Sequence, residues 1–339
     1  MYFCIMIFLT GGTGLIGSYI LMMLMQEKKQ VRALRRSSSN LSTCKKIFSY
    51  YQLSNLFSEI IWCEGDINDI PSLEENMKDC DIVIHAAALV SFQKSDLDLL
   101  KKINIEGTAN VMNVALSYNY KRCIYISSVS TFSRDLNDIE VNEESYFRSD
   151  KNVSNYAFSK YYAEQEVWRA SSEGLDVIIL NPSIVLGPGN WDKGSSKIFQ
   201  RIYNGLKFYS TGSSGYIDVY DVAKITMLFL ENKIKNERFL LNGTNISYKN
   251  AFNKIADEFG VKRATIKVTP FFKELAWRLD SIKSFVTGRP SLLTKETANS
   301  AMKNVSYSSS KVKKTLDYEF IPFDVTIKKY CSFFKNELF

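Results

Sequence analysis

Apolar and polar positions along the first part of the chain predict strands followed by helices. Residues 5–9 form an apolar run with the composition of a buried strand, and residues 18–25 are rich in good helix formers. Between them lies a glycine-rich segment with the sequence Thr10-Gly11-Gly12-Thr13-Gly14-Leu15-Ile16-Gly17. A glycine turn between a strand and a helix is the context that a nucleotide phosphate site requires.

The three spaced glycines of this turn have separate predicted roles. Gly11 makes the tight turn, Gly14 lets the backbone approach a pyrophosphate, and Gly17 lets the helix pack closely on the strand. The phosphates would lie on the free amides at the start of the helix. An ordinary loop with incidental glycines is the alternative. The residues that we expect to contact the cofactor here are Thr10, Gly11, Gly14, Leu15, Ile16 and Gly17.

Further apolar runs continue the alternation of strands and helices. Strand patterns occupy residues 31–35, 60–67, 81–88 and 122–128, and helical patterns occupy residues 96–118 and 156–169. This order implies an α/β fold, a Rossmann doubly wound parallel sheet, with ligands at the carboxyl edge of its strands. We expect the cofactor domain at residues 1–182, with returning segments near 216–243. A smaller C-terminal substrate lobe is expected from residues 183–215 and 244–339.

Beyond Gly189 the patterns are less informative. Ser247 is predicted to cap a helix that runs to Phe259. Apolar side chains recur at helical spacing over residues 271–286, and this stripe is expected to pack on a core or cover a pocket. Attachment to a membrane surface is its alternative. The aromatic residues of segment 190–216 line the substrate side or belong to the core.

Composition excludes several classes of protein. A chain of 339 residues with 45% hydrophobic content can bury a large core, and two interlocked lobes are expected. The net charge of +7 is spread along the chain, which argues for a solvated surface and against nucleic-acid binding. Six cysteines without paired spacing and a single histidine, His85, disfavour disulfides and any metal site. His85 is expected to be a packed residue at a strand end.

No apolar run is long enough to cross a bilayer, since the longest covers residues 1–9. It also lacks the charged start and the small-residue cleavage site of a secretion signal. We therefore expect no transmembrane segment and a cytoplasmic protein. The expected partner is a small-molecule substrate, and a homodimer is left open.

A Tyr-x-x-x-Lys pair occurs four times in the chain, so the motif alone decides nothing. The pair Tyr156 and Lys160 is distinguished by its position 28 residues after Ser128 and by the uninterrupted helical pattern that it opens. Residues four apart on a helix share a face, so both side chains would point at the cofactor. The ammonium favours the phenolate of Tyr156, which can then exchange a proton with a substrate oxygen. Ser128 would hydrogen-bond that oxygen. A packed tyrosine beside a solvated lysine is the alternative.

The end of the second predicted strand should meet the adenosine ribose. An acidic residue there would accept hydrogen bonds from the ribose hydroxyls of NAD, whereas arginine pairs with the 2′-phosphate of NADP. The segment Arg35-Arg36-Ser37-Ser38-Ser39 contains two arginines and no acid. Arg35 therefore favours NADP, with NAD as the alternative cofactor if Arg35 is only a solvated strand end. After the fourth strand, the small side chains of Ala86 and Ala87 would let the backbone approach a cofactor ribose.

The motifs together resemble those of the extended short-chain dehydrogenase/reductase family, also called the NAD-dependent epimerase/dehydratase family. The resemblance is carried by the glycine turn, by Tyr156-Ala157-Phe158-Ser159-Lys160, and by Asn181-Pro182-Ser183-Ile184-Val185-Leu186-Gly187-Pro188. Segment 218–223 matches a later landmark. The third of these stretches resembles the subgroup that contains dihydroflavonol-reductase-like and hydroxysteroid-dehydrogenase-like members, and Arg32-Ala33-Leu34-Arg35 resembles a segment of NADP-using dihydroflavonol reductases.

The resemblance implies roles for four more positions. Asp66 and Ile67 would hold the adenine, although Asp66 can also cap the helix that begins near Pro71. Asn104 would support the active site from its helix, or only cap or kink that helix. Backbone groups at Pro182 would meet the nicotinamide carboxamide. Lys160 would hold the nicotinamide ribose in addition to its effect on Tyr156.

The predicted function is hydride transfer between NADP(H) and a carbonyl or secondary alcohol. The alternative is a nucleotide-sugar epimerase or dehydratase with bound NAD, in which Lys193, Lys197 and Arg201 would meet a diphosphate. A non-catalytic nucleotide sensor is a third class, and the intact set of Ser128, Tyr156 and Lys160 argues against it. The identity of the substrate does not follow from the fold.

Overall fold

A seven-stranded parallel sheet forms the centre of the molecule. The computed structural model describes residues 5–133, 140–148, 153–287 and 294–338. The strands of this sheet are β1 Met6–Thr10, β2 Gln30–Arg35, β3 Ile61–Glu64, β4 Ile82–His85, β5 Arg122–Ile126, β6 Asp176–Pro182 and β10 Glu237–Leu241. Their order across the sheet is β10-β6-β5-β4-β1-β2-β3. The predicted doubly wound parallel sheet is therefore confirmed.

Helices cover both faces of this sheet and form part of the C-terminal region. The helices of the first part are α1 Leu15–Gln26, α2 Ser42–Tyr50, α3 Ser54–Phe57, α4 Ile70–Met77, α5 Leu97–Leu100, α6 Gly107–Ser117 and α7 Asn155–Ser172. Those of the second part are α8 Lys197–Tyr203, α9 Val219–Glu231, α10 Tyr248–Phe259, α11 Pro270–Thr287, α12 Lys295–Ser300, α13 Ser310–Leu316 and α14 Phe323–Leu338.

Both faces of the sheet are buried, because successive strand residues point to opposite sides. In β1, Ile7 and Leu9 join the core under α1 and α9, whereas Phe8 joins the core under α4, α6 and α7. In β6, Ile178 and Leu180 belong to the first core, and Val177 and Ile179 to the second. This two-sided burial explains why the strands appear in the sequence as continuous apolar runs.

Two small sheets accompany the central one. The strands β7 Ile184–Leu186, β9 Ser213–Asp218 and β11 Thr244–Ser247 pair in the order β11-β9-β7. The strands β8 Phe208–Tyr209 and β12 Ile266–Lys267 pair with each other. The predicted helix after Ser247 is confirmed as α10, because the Ser247 hydroxyl accepts a hydrogen bond from the amide of Asn250.

The predicted helix over residues 96–118 is instead divided into segments. A 3-10 turn at Lys94–Asp96 leads into α5, a π-helical stretch covers Lys101–Glu106, and α6 follows. A π-helical turn inserts extra backbone into a helix and recurs at functional sites. Gly107 opens α6 where a Cβ atom would lie 2.6 Å from Cδ1 of Ile67, so any larger residue there would force the Ile67 side chain to move.

The order of the sheet places its ligand-binding crevice. From β1 the chain turns first toward β2 and β3, and then crosses to β4 on the other side of β1. A ligand in a doubly wound fold binds at such a reversal, outside the carboxyl ends of the two strands. The glycine turn after β1 and the segment after β4 meet at this point.

None of the described helices combines the length and the apolar composition needed to cross a bilayer. Within the same described ranges, no group of three or more His, Cys, Asp or Glu side chains is placed to hold a metal ion.

Candidate functional site

The glycine turn packs directly on the segment that follows β4. Gly11 has a φ of 74°, and a Cβ atom there would lie 2.5 Å from both the carbonyl carbon of Ala86 and the amide nitrogen of Ala87. A Cβ atom on Gly17 would lie 2.1 Å from the carbonyl oxygen of Gly11. Both positions therefore require glycine. Gly11 needs it for its positive φ and for lack of space, and Gly17 for lack of space alone. Gly14 differs, since its Cβ would have a single neighbour at 3.4 Å.

The start of α1 presents amides that suit a phosphate. Gly14 is the N-cap of α1 and no side chain caps this end, unlike the ends of α7 and α10. Leu15 and Ile16 are the first two residues of the helix, whose leading amides have no partner inside it. Anions bind at such helix starts. The residues present therefore fit the pyrophosphate of a dinucleotide.

His85 connects the glycine turn to α6 through a chain of hydrogen bonds. The Ala87 amide donates to Thr10 Oγ1 at 3.2 Å, and Thr10 Oγ1 lies 2.6 Å from Nδ1 of His85. Nε2 of His85 lies 3.0 Å from Thr108 Oγ1, whose own proton goes to the carbonyl of Asn104. Burial lowers the pKa of His85 to about 3, so the ring is neutral.

This arrangement assigns the tautomer of His85. Because Thr108 uses its proton elsewhere, Nε2 of His85 carries the hydrogen and Nδ1 accepts from Thr10. His85 is fully buried, which confirms its prediction as a packed strand-end residue.

At the expected adenosine end, Arg35 is the last residue of β2 and is half-buried. Asp66 lies in the loop after β3, where its Oδ1 accepts from the backbone and side-chain nitrogens of Asn68. The alternative that Asp66 caps the following helix is wrong, because the N-cap of α4 is Asp69. Ile67 buries its side chain in the core and its carbonyl accepts from Asn110. Adenine contacts at Asp66 and Ile67 stay predictions.

Asn104 lies buried in the π-helical stretch and joins three segments. Its Oδ1 accepts from the Leu89 amide at 2.7 Å, and its Nδ2 donates to the Leu89 carbonyl and to Oγ of Ser159. Ser159 in turn donates to the carbonyl of Tyr156. Asn104 thus ties the loop after β4 to α7, which is more than a local cap.

Tyr156 lies in the first turn of α7, next to Ser128. Ser154 begins this helix, because its hydroxyl accepts from the Ala157 amide at 3.0 Å. Desolvation raises the pKa of Tyr156 to about 12, and a hydrogen bond with the Ser128 hydroxyl opposes this increase. The ring of Tyr156 contacts Phe92 edge-on, with the centroids 5.6 Å apart. The two predicted residues Ser128 and Tyr156 are therefore brought together.

Lys160 follows one turn later with its ammonium fully buried. Its Nζ donates to the Tyr125 hydroxyl at 2.6 Å and to the Ile126 carbonyl at 2.8 Å, and lies 4.2 Å from the centroid of the Tyr125 ring. Burial lowers the pKa of Lys160 to about 7, while the negative charge of Glu164 opposes that effect. An ammonium has three donors, so one stays available for a ligand.

The other three Tyr-x-x-x-Lys pairs lie elsewhere. Tyr220 and Lys224 both lie inside α9, whose N-cap is Asp218. Lys224 forms an ion pair with Glu27 at the C-terminal end of α1, and the glycine turn lies at the other end of that helix. Lys207 lies outside α8, and Lys311 binds the Arg238 carbonyl. Tyr307 packs against a cluster that contains Phe132 and Leu240.

Several residues around the site were not predicted. The buried carboxylate of Glu164 accepts from Ser127 Oγ at 2.7 Å and from Asn181 Nδ2 at 2.9 Å. Pro182, which was predicted to meet the nicotinamide, ends β6 and is buried between Asn181 and Ser183. Within the described residues, Oγ of Ser183 is buried without a hydrogen-bond partner. The sequence signal that could have identified Glu164 is its position four residues after Lys160, on the same face of the helix.

The sequence predicts Tyr125 only as part of an apolar strand, yet its hydroxyl accepts a hydrogen bond from Lys160. Replacing Tyr125 with Phe would remove the hydroxyl acceptor and keep the ring. We expect the ammonium of Lys160 to be less stable, so that it loses its proton at a lower pH. The alkaline decline of kcat/KM should then move down by roughly one unit, the size of a lost charge-assisted hydrogen bond.

Tyr120→Phe is the matched control for this pH profile. Tyr120 is also a buried tyrosine and donates to the Met77 carbonyl at 2.7 Å, away from Lys160. Both variants lose one buried hydrogen bond, and only Tyr125→Phe should shift the pH profile. Superimposable profiles for the two variants would show that Tyr125 does not tune Lys160.

The sequence comparisons agree with these motifs. The model of the NAD dependent epimerase/dehydratase family matches residues 7–241. The chain is 32% identical over 249 residues to a putative dihydroflavonol 4-reductase of Synechocystis, covering 71% of this chain and 68% of that protein. It is 29% identical over 241 residues to cinnamoyl-CoA reductase 1 of Petunia hybrida, covering 68% and 70% of the two chains.

Solved structures give the same fold over nearly the whole chain. The crystal structure of gox2253 matches with a TM-score of 0.81 and 27% identity, and the match covers 98% of each chain. A UDP-glucose 4-epimerase of Thermotoga maritima matches with a TM-score of 0.78 and 19% identity, covering 99% of this chain and all of the other. At that identity the second match concerns the fold alone.

Proposed function

The chain belongs to the NAD dependent epimerase/dehydratase family, the extended short-chain dehydrogenases/reductases, and on this premise we propose that it is an NADPH-dependent carbonyl reductase. The family is one of enzymes that use a nicotinamide dinucleotide. Reductases are among its relatives at 29 to 32% identity over more than two thirds of the chain. NADP as the cofactor and a carbonyl as the reacting group are the finer parts of the proposal.

The observation that carries the proposal is the phenol of Tyr156 beside the Ser128 hydroxyl, with Lys160 one turn away. Burial raises the pKa of Tyr156 to about 12, so the phenol keeps its proton at neutral pH. A protonated phenol is the form that donates to a carbonyl oxygen. In this form Tyr156 can serve as the proton donor in the reduction of a carbonyl.

When bound, the reduced nicotinamide supplies the hydride that adds to the carbonyl carbon. Ser128 donates a hydrogen bond to the substrate oxygen and orients it. Tyr156 transfers its phenolic proton to the same oxygen as negative charge develops there, which gives the alcohol. Lys160 stabilises the phenolate that is left and offers its free donor to the nicotinamide ribose. Asn104 fixes α7 through Ser159, which keeps Tyr156 in place.

Arg35 supports NADP over NAD. It ends β2, the strand adjacent to β1 on the adenosine side, and no acid occurs among residues 35–39. The Arg35 guanidinium can form a bidentate pair with a phosphate, whereas a carboxylate at this position would repel the phosphate. Ser37, Ser38 and Ser39 offer further hydroxyl and amide donors in the same turn.

Replacing Arg35 with Ser should therefore weaken NADPH binding about tenfold and leave NADH binding nearly unchanged. Dissociation constants for both cofactors, measured by titration of the reduced-nicotinamide fluorescence, give the ratio. Arg36→Ser is the comparison, because Arg36 is the exposed cation next in sequence. An unchanged preference in Arg35→Ser would contradict the assignment of the 2′-phosphate to this side chain.

A nucleotide-sugar epimerase or dehydratase is the alternative use of the same tyrosine. It needs tightly bound NAD that is regenerated within each turnover, and cations for a diphosphate. Lys193 and Arg201 are exposed on the segment after β7, and Lys197 is half-buried. We keep the substrate lobe at residues 183–215 and 244–339 as part of the proposal, since these segments follow the carboxyl end of β6 and the end of β10.

A further inference from the structure

Five of the exposed large apolar side chains lie in one region of the C-terminal half, which we call the apolar patch. Ile266 of β12 pairs in register with Phe208 of β8, and the Phe208 ring lies 6.3 Å from the ring of Phe272. Phe271 and Leu275 are four residues apart on the same face of α11. Phe271 is 78% exposed, and the other four are between 43 and 48% exposed.

The segments that form the apolar patch carry an excess of basic residues. Residues 204–216 and 260–275 include five cations and a single acid, Glu274. Arg263 is paired with Asp257 and Lys273 with Glu274. The other three are Lys207, Lys262 and Lys267, which are exposed and form no ion pair with any residue that the structure describes.

The combination of exposed apolar side chains and unpaired lysines indicates which kind of surface could cover the apolar patch. A second copy joined by a two-fold axis would place the same patch, and therefore the same cations, against itself. Repulsion between the unpaired lysines disfavours that arrangement. An anionic lipid surface offers an apolar layer for the phenylalanines and negative headgroups for the lysines, which reach it by extending their side chains.

We propose that the apolar patch, with Lys207, Lys262 and Lys267, docks the enzyme reversibly on the surface of an anionic bilayer. The start of α11 lies in the headgroup region, where Phe271 and Phe272 enter the acyl boundary. The attachment is peripheral and requires no spanning helix. It is independent of the proposed reductase chemistry, so its failure would leave that chemistry unaffected.

The test is co-sedimentation of the full chain with vesicles of phosphatidylcholine and phosphatidylglycerol in equal parts. Binding is expected to these vesicles at low salt. It should be absent with pure phosphatidylcholine and lost at about 1 M salt, where the screening length falls to about 3 Å. The double variant Phe271→Ser/Phe272→Ser should weaken binding more than about tenfold. Each lysine changed to Gln should weaken it about fivefold.

The matched control is Ile61→Ser/Val325→Ser, which removes two similarly exposed apolar side chains far along the chain from the apolar patch. This control should bind like the wild type, and exposed positions of this kind are not expected to affect folding. Absence of binding to the anionic vesicles, or an equal loss in both double variants, would overturn the proposal. So would concentration-dependent self-association in solution that Phe271→Ser/Phe272→Ser abolishes, because it would assign the patch to a second copy.

Discussion

Replacement of Tyr156 by Phe is expected to lower kcat by about 10²- to 10⁴-fold, the usual contribution of a positioned acid or base. The variant keeps the ring that contacts Phe92 and loses only the hydroxyl beside Ser128. The substrate oxygen would then have no proton donor when the hydride arrives. Because the phenol does not bind the adenosine or the pyrophosphate, the dissociation constant for NADPH should stay within about twofold.

The measurement is the rate of NADPH oxidation with the most active member of a panel of aldehydes and ketones. Tyr220→Phe is the control, since Tyr220 belongs to another Tyr-x-x-x-Lys pair inside a helix and packs on Tyr51. It should retain the wild-type rate. Unchanged turnover in Tyr156→Phe, or an equal loss in Tyr220→Phe, would refute the assignment of the proton donor.

The second large effect is expected from Gly14→Ala, which should weaken NADPH binding by about 100-fold, or ~2.7 kcal/mol. In the protein alone the new Cβ atom meets one neighbour, the Gly11 carbonyl oxygen, at an ordinary 3.4 Å. The backbone of Gly14 is extended, with φ −85° and ψ 174°, so alanine fits without strain. The methyl group would instead occupy the space that the pyrophosphate needs above the start of α1.

Gly12→Ala separates the ligand effect from the stability of the turn. A Cβ atom there would meet only side chains, at 3.4 Å from Leu9 and 3.5 Å from Leu21. Both variants should change the free energy of unfolding by no more than about 1 kcal/mol. Only Gly14→Ala should lose the cofactor, as measured by titration and thermal unfolding. Equal binding by both variants would place the pyrophosphate elsewhere.

The sequence predicted the sheet and the glycine turn well because their signals are local. Two-sided burial makes β1 and β6 continuous apolar runs, and a helix that follows a glycine turn marks the nucleotide end of the sheet. Among four Tyr-x-x-x-Lys pairs, distance from Ser128 and an uninterrupted helix selected Tyr156, and the structure places Tyr156 in the first turn of α7 beside Ser128.

What the sequence did not predict depends on contacts between distant segments. The π-helical stretch at Lys101–Glu106 replaces regular helix where Asn104 bonds the loop at Leu89 and Ser159 of α7. The helix-forming residues of this stretch did not predict its π-helical geometry. Tyr125 was predicted only as part of a buried strand and Asn181 only as part of a family motif, and only the folded chain places them beside Lys160 and Glu164.

We expect the protein to take NADPH from solution and to reduce a carbonyl. The most direct measurement is to denature the purified protein, identify any released nucleotide by mass spectrometry, and compare the dissociation constants of NADPH and NADH. The account predicts no stoichiometric NAD, and NADPH bound at least about tenfold more tightly than NADH. One NAD released per chain, with no preference for NADPH, would contradict it and favour the self-regenerating epimerase or dehydratase.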